Sequence, residues 1–187
     1  MGLITTLLLL ALPVVIAVLL YNSLVALRAQ VKNGWAQIDV QLKRRADLVP
    51  NLVESVKGAM SHERETLENV VRLRNQAVSL QPGGSTAERV QAESQLSGAL
   101  GRLFALMENY PQIKGTQNIQ ALQEELTSTE NRIGFARQHY NDVATSFNAK
   151  IEQIPSNFIA SFAGMTAFPL WVIENAAERT APRVSLK

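Results

Sequence analysis

The chain has 187 residues, 47% of them hydrophobic, with 18 basic and 16 acidic side chains and a formal charge of +2. That near balance excludes a nucleic-acid binder, which needs a dense basic stripe to displace counterions, and 6% aromatics is too few for a base-stacking platform. With no cysteine the chain cannot be a cysteine-lipidated lipoprotein, though this leaves its compartment undecided.

Residues 3–21 are almost entirely apolar, and no charged side chain precedes Arg28. A helix of that length crosses ~30 Å of hydrocarbon at ~1.5 Å per residue. Thr5 and Thr6 can bond back to the preceding turn, and Pro13 bends such a helix without expelling it. A cleaved secretory signal is the competing reading. It wants a basic start, a shorter apolar stretch and small residues at the cut, and Met1-Gly2 and Leu24-Val25-Ala26 serve it badly. The opening residues also fit the loose myristoylation pattern at Gly2. The expectation is a single-pass anchor over residues 1–21. Arg28, Lys32, Lys43, Arg44 and Arg45 follow the span against Asp39 alone, so the positive-inside rule puts the carboxyl-terminal bulk in the cytoplasm.

Helical spacing dominates residues 21–154, and the expected class is all-α: the membrane helix continues into an antiparallel up-and-down four-helix bundle over residues 22–154. The first stripe is Leu24, Leu27, Val31, Trp35, Ile38 and Leu42. A second holds Leu52, Val53, Val56, Met60, Leu67, Val70, Val71 and Val78. Between them, Asp47 can cap a new helix whose first turn tolerates Pro50, or Pro50 can kink one long helix. The break is favoured, because four helices then bury every stripe.

Residues 81–86 (QPGGST) form the clearest loop, with Ser85 or Thr86 placed to cap the next helix. That helix carries Leu96, Leu100, Leu103, Met107 and Tyr110 and stops near Pro111. The longest seam follows: Ile119, Leu122, Leu126, Thr129, Ile133, Ala136, Tyr140, Val143, Phe147, Ile151 and Ile154, a heptad-like alternation ended by Pro155. Residues 155–187 are a tail, first apolar and aperiodic, then polar from residue 178. Its Phe158, Phe162, Phe168 and Trp171 must find a surface, on the bundle, on another subunit or at the membrane. The bundle is the favoured surface.

Catalytic patterns are not found. His62-Glu63 resembles the start of a zinc-protease helix, but Thr66 stands where the second His belongs. His139 is remote, residues 82–84 lack the lysine of a phosphate loop, and no serine sits in a nucleophile elbow. No cofactor is expected. Lys43, Arg44, Arg45 and Asp47 form the one notable charge cluster, either a solvated helix end or a docking patch for an acidic partner.

Long stretches resemble the LemA family: residues 21–25 (YNSLV), residues 35–53 (WAQIDVQLKRRADLVPNLV), His62-Glu63, residues 108–111 (ENYP) and residues 122–133 (LQEELTSTENRI). Ala136-Arg137, Tyr140-Asn141 and Phe147-Asn148 continue the match. Gly34 stands where Ala is expected, at some cost in helix propensity. The resemblance implies a bacterial single-span inner-membrane protein with a helical-bundle domain, no established activity, and a partner such as a membrane metalloprotease of the HtpX type. Together with the absence of site chemistry, this gives the expectation of a non-enzymatic, self-associating scaffold or adaptor held by the lipid bilayer. The alternative is a bundle that binds a ligand or lipid in its core and signals through the stalk.

Overall fold

The computed structural model describes residues 2–81, 87–114 and 116–172. The expected loop and caps at residues 82–86 and the polar end at residues 178–187 lie outside the described residues. Every regular element among the described residues is helical: α1 (Gly2–Lys57), α2 (Arg64–Ser79), α3 (Ala87–Met107), α4 (Pro111–Lys114), α5 (Gln117–Glu152) and α6 (Ser156–Phe162), with a 3-10 turn at Ser61–Glu63.

The amino-terminal part of α1 exposes Leu12, Val14, Val15, Ile16, Val18 and Leu19. These residues point to all sides of the helix, which suits a lipid surround and not a domain core. α1 is long and apolar enough to cross a membrane, and only 6% of its most apolar 18-residue window is buried within the protein.

Pro50 does not break the chain, contrary to the expectation. α1 passes through it and ends at Lys57, so Asp47 is an exposed mid-helix residue and caps nothing. Two causes are visible. Leu42, Ala46, Val49, Leu52 and Val56 keep one apolar phase across the proline and are buried, each large side chain contributing ~1.5–3 kcal/mol against ~3 for an interior proline. The carbonyl that Pro50 leaves without a donor is that of Ala46, and Arg74 Nε from α2 donates to it at 2.9 Å. Replacing Arg74 with Met therefore costs about 1–3 kcal/mol by orphaning a buried carbonyl. The same change in a Pro50→Ala background costs little, because an alanine there supplies the missing N–H. Denaturant titration of the four proteins checks this cycle.

Met60, wholly buried, pins the turn after α1, and its N–H bonds to Val56 O at 2.9 Å. α2 then returns along α1. α3 runs with α1: Arg89 pairs with Asp39 and Arg45 reaches Glu93 and Ser97. α5 runs against α1, with Trp35 beside Tyr140 and Arg45 beside Glu130, ten residues forward on one helix matching ten back on the other. Gly34 has a reason here. A Cβ on it would lie 3.3 Å from Tyr140 Cα, so its absence allows α1 and α5 to approach closely.

The core has two parts along the α1–α5 pair. In the distal part Val49, Leu52 and Val56 of α1 meet Leu67, Val70 and Leu73 of α2, Leu96, Leu100 and Leu103 of α3, and Ile119 and Leu126 of α5. α2 and α3 have 16 and 21 residues against 56 and 36 for α1 and α5, so they cannot line the whole pair. In the part nearer the apolar segment, Val31, Ile38, Ile133, Tyr140, Ala144 and Phe147 are covered instead by the tail through Trp171, Met165 and Phe168.

Candidate functional site

The charge cluster does not stay together. Lys43, Arg44 and Asp47 face outward, while Arg45 is 1% exposed and turned into the core. Helix geometry dictates the split, since position 45 shares the face of Leu42 and Val49. Its guanidinium donates from Nη1 to Glu130 Oε1 and to Ser97 Oγ, each at 2.5 Å, and from Nη2 to both the Glu93 carboxylate and, at 3.3 Å, the Glu93 carbonyl. Ser97 Oγ passes a hydrogen bond on to Glu130 Oε2 at 3.0 Å. α1, α3 and α5 are thereby joined through one side chain. Arg44 pairs with Glu125 at the surface, where such pairs contribute little.

Burial pushes the Glu93 carboxyl above its usual range; Arg45 and then Arg89 pull it back, and Glu130 adds to the rise. The folded state therefore holds the proton more tightly than the unfolded chain. The stability from this group is complete below ~4.3, the ordinary Glu value, and is lost as pH rises through the folded value. Glu93→Gln removes that dependence: stability curves of the two proteins across the mildly acidic range converge at low pH and diverge above it.

Arg89, 1% exposed, pairs with Asp39 and lies over the Trp35 ring at 5.2 Å. Trp35 is in turn 5.2 Å from Tyr140 and 5.4 Å from Trp171, centroid to centroid. On this aromatic floor the extended tail is held by its own backbone. Asn148 Nδ2 donates to Phe168 O and Asn148 Oδ1 accepts from Phe168 N–H, both at 2.8 Å. Asn141 does the same for Trp171, at 3.0 and 2.8 Å, and Tyr140 Oη donates to Pro169 O at 2.7 Å. The spacing has a physical basis. Seven helical residues rise ~10.5 Å and three extended residues ~10 Å, so two asparagines a heptad apart meet residues 168 and 171 in register.

Of the four predicted tail residues, Phe168 and Trp171 join this site, Phe168 edge-on to Phe147 at 5.3 Å and Trp171 beneath Arg137. Phe158 and Phe162 do not; both are exposed on α6. Sequence reasoning missed Glu93, Ser97 and Glu130 as partners of Arg45, and Arg89 as the partner of Asp39. The available signal was phase: Arg45 and Glu93 each fall on the apolar stripe of their helix, where an opposite charge must compensate. The aromatic–asparagine pair repeated at Tyr140-Asn141 and Phe147-Asn148 was the corresponding signal for the tail. Glu63, singled out beside His62, sits in the 3-10 turn and accepts from Tyr110 Oη at 3.2 Å.

These features define an all-helical, membrane-associated protein whose domain grows directly out of one membrane-length helix. The family model described as LemA family matches residues 34–186, and the chain belongs to that family. Among curated relatives it is similar to the magnetosome proteins MamQ 1 and MamQ 2 of Paramagnetospirillum magneticum, 24% identical over 167 residues, covering 77% of this chain and 61% of each relative. It is also similar to Protein LemA of Metamycoplasma hominis, 27% identical over 139 residues, covering 74% of this chain and 63% of the relative. The chain thus spans a little over three fifths of the length of these relatives.

Proposed function

We propose that this protein is a non-enzymatic scaffold of the bacterial inner membrane, self-associating and presenting its helical domain to other membrane proteins on the cytoplasmic side. The observation that carries the reading is the continuity of α1, which is one helix from the apolar segment into the distal core. A rigid connection of that kind sets the position and facing of a binding surface relative to the bilayer, which is what a scaffold requires. Arg28 and Lys32, exposed just past the apolar run, favour the cytoplasmic side. Phe135, 73% exposed on α5 among polar neighbours, offers an apolar anchor for a second copy or another membrane protein, with a membrane metalloprotease of the HtpX type as the partner class to examine first.

Light scattering of the full chain in detergent is expected to give a mass above the monomer, and crosslinking from Phe135 in intact cells to give defined inner-membrane neighbours. A strict monomer without crosslinked neighbours overturns the scaffold reading. A carboxyl-terminal reporter active only in the periplasm overturns the orientation.

A further inference from the structure

The face of α6 that looks away from the domain is unusual for so small a helix. Phe158 and Phe162, one turn apart on α6, are 67% and 97% exposed, and Ile154 in the turn just before it is 80% exposed, while Ser156 and Ala160 on the opposite side of α6 are buried. The segment is firmly placed. Gly164, at φ 61°, closes α6 with Met165 N–H bonded to Ala160 O at 2.9 Å and Gly164 N–H to Ser161 O at 3.1 Å, the paired bonds of a Schellman end. α6 packs against both α1 and α5.

The antiparallel register fixes its height. Trp35 lies beside Tyr140 and Arg45 beside Glu130; carried back by the same count, the end of α5 at Glu152 falls level with Ser23, and Ile154 and α6 follow directly from there. Tyr21 ends the apolar run and Arg28 is the first charge, so the stretch between them rises only ~10 Å, the thickness of an interfacial layer. The exposed side chains of α6 thus stand where the hydrocarbon of a membrane crossed by α1 gives way to headgroups. Phe side chains on interfacial helices bury at that depth, and Arg28 stands at its outer edge with Lys32 one turn beyond.

We propose that Ile154, Phe158 and Phe162 insert into the interfacial layer of the bilayer that α1 crosses, giving the protein a second lipid contact beside its span. The proposal rests on the reading of α1 as a membrane span. Two contacts, one along the membrane normal and one beside it, fix the tilt of α1 and hold the domain at a set angle to the surface.

The chain has no cysteine, so single-cysteine variants of the full protein each carry one fluorophore. Phe162→Cys, Val18→Cys and Phe135→Cys are all at exposed positions, so the fold is retained. Each is labelled with an environment-sensitive dye and reconstituted in phosphatidylcholine–phosphatidylglycerol vesicles that carry a nitroxide placed either shallow or deep on the acyl chain. The expected result is a blue-shifted label at 162 quenched most by the shallow nitroxide, a label at 18 quenched most by the deep one, and a label at 135 quenched by neither. A water-like label at 162 with normal quenching at 18 overturns the interfacial contact and leaves the span intact. Failure of quenching at 18 overturns the span itself. A blue-shifted label at 162 that no nitroxide reaches, and that self-quenches as protein density rises, assigns the face to a second copy and also overturns the proposal.

Discussion

Replacing Arg45 with Ala destabilises the domain by about 3–5 kcal/mol, because Glu93 is left buried with its charge uncompensated and Glu130 loses its partner. Glu93 is 3% exposed and depends on that guanidinium for its charge partner. Arg45→Lys recovers only part of the loss. An ammonium is a point donor and cannot span Glu93 and Glu130 as the planar fork does, so about 1–3 kcal/mol remains missing. The informative variant removes the charges together. Arg45→Met combined with Glu93→Leu and Glu130→Gln restores most of the stability of the starting protein, since buried ionic groups repay little beyond their own desolvation. Chemical denaturation in detergent, monitored by far-UV circular dichroism, ranks the four proteins. If the single Arg45→Ala variant unfolds at the same denaturant concentration as the parent, the network is not a structural tie.

Trp171→Ala is the second large effect. The indole is 3% exposed, stacked against Trp35 and covered by Arg137, and its removal costs about 3–5 kcal/mol in that part of the core. The consequence is local. Without the ring, the backbone bonds from Asn141, Asn148 and Tyr140 must hold the tail alone against the entropy of an extended segment. Limited proteolysis is expected to cut within residues 163–170 of the variant while the α1–α5 pair stays intact. Asn141→Ala and Asn148→Ala give the same cleavage at higher protease concentration, each removing two hydrogen bonds to main chain. Equal protease resistance of parent and Trp171→Ala would show that the aromatic stack is incidental to tail docking.

Features governed by local periodicity were legible in the chain. The apolar leader, the α5 seam from Ile119 to Phe147, the all-helical class and the stop before Pro111 follow from spacing and from two residue types, proline and glycine. Features that depend on a distant partner were not. Pro50 reads as a helix break because its local cost is visible, whereas the Arg74 guanidinium that satisfies the freed carbonyl comes from 28 residues away. Arg45 reads as one of three surface cations because charge runs are usually solvated; only the phase of the stripe distinguishes it from Lys43 and Arg44. The tail was legible as apolar, but not which of its rings the bundle covers. Its division into an inward pair, Phe168 and Trp171, and an outward pair, Phe158 and Phe162, follows from the turn at Gly164, which no periodicity announces.

The close fit of α1 to α5 at Gly34 also sets a compass bearing. An α-helix turns ~100° with each residue, so the number of residues between Tyr21 and Gly34 decides which side of the mast the domain hangs from. Lengthening that stretch by one residue would lift the domain by only ~1.5 Å but swing it more than a quarter turn about the axis, so that a different flank faces any given direction. For a body mounted this stiffly, azimuth is a heritable property written in chain length.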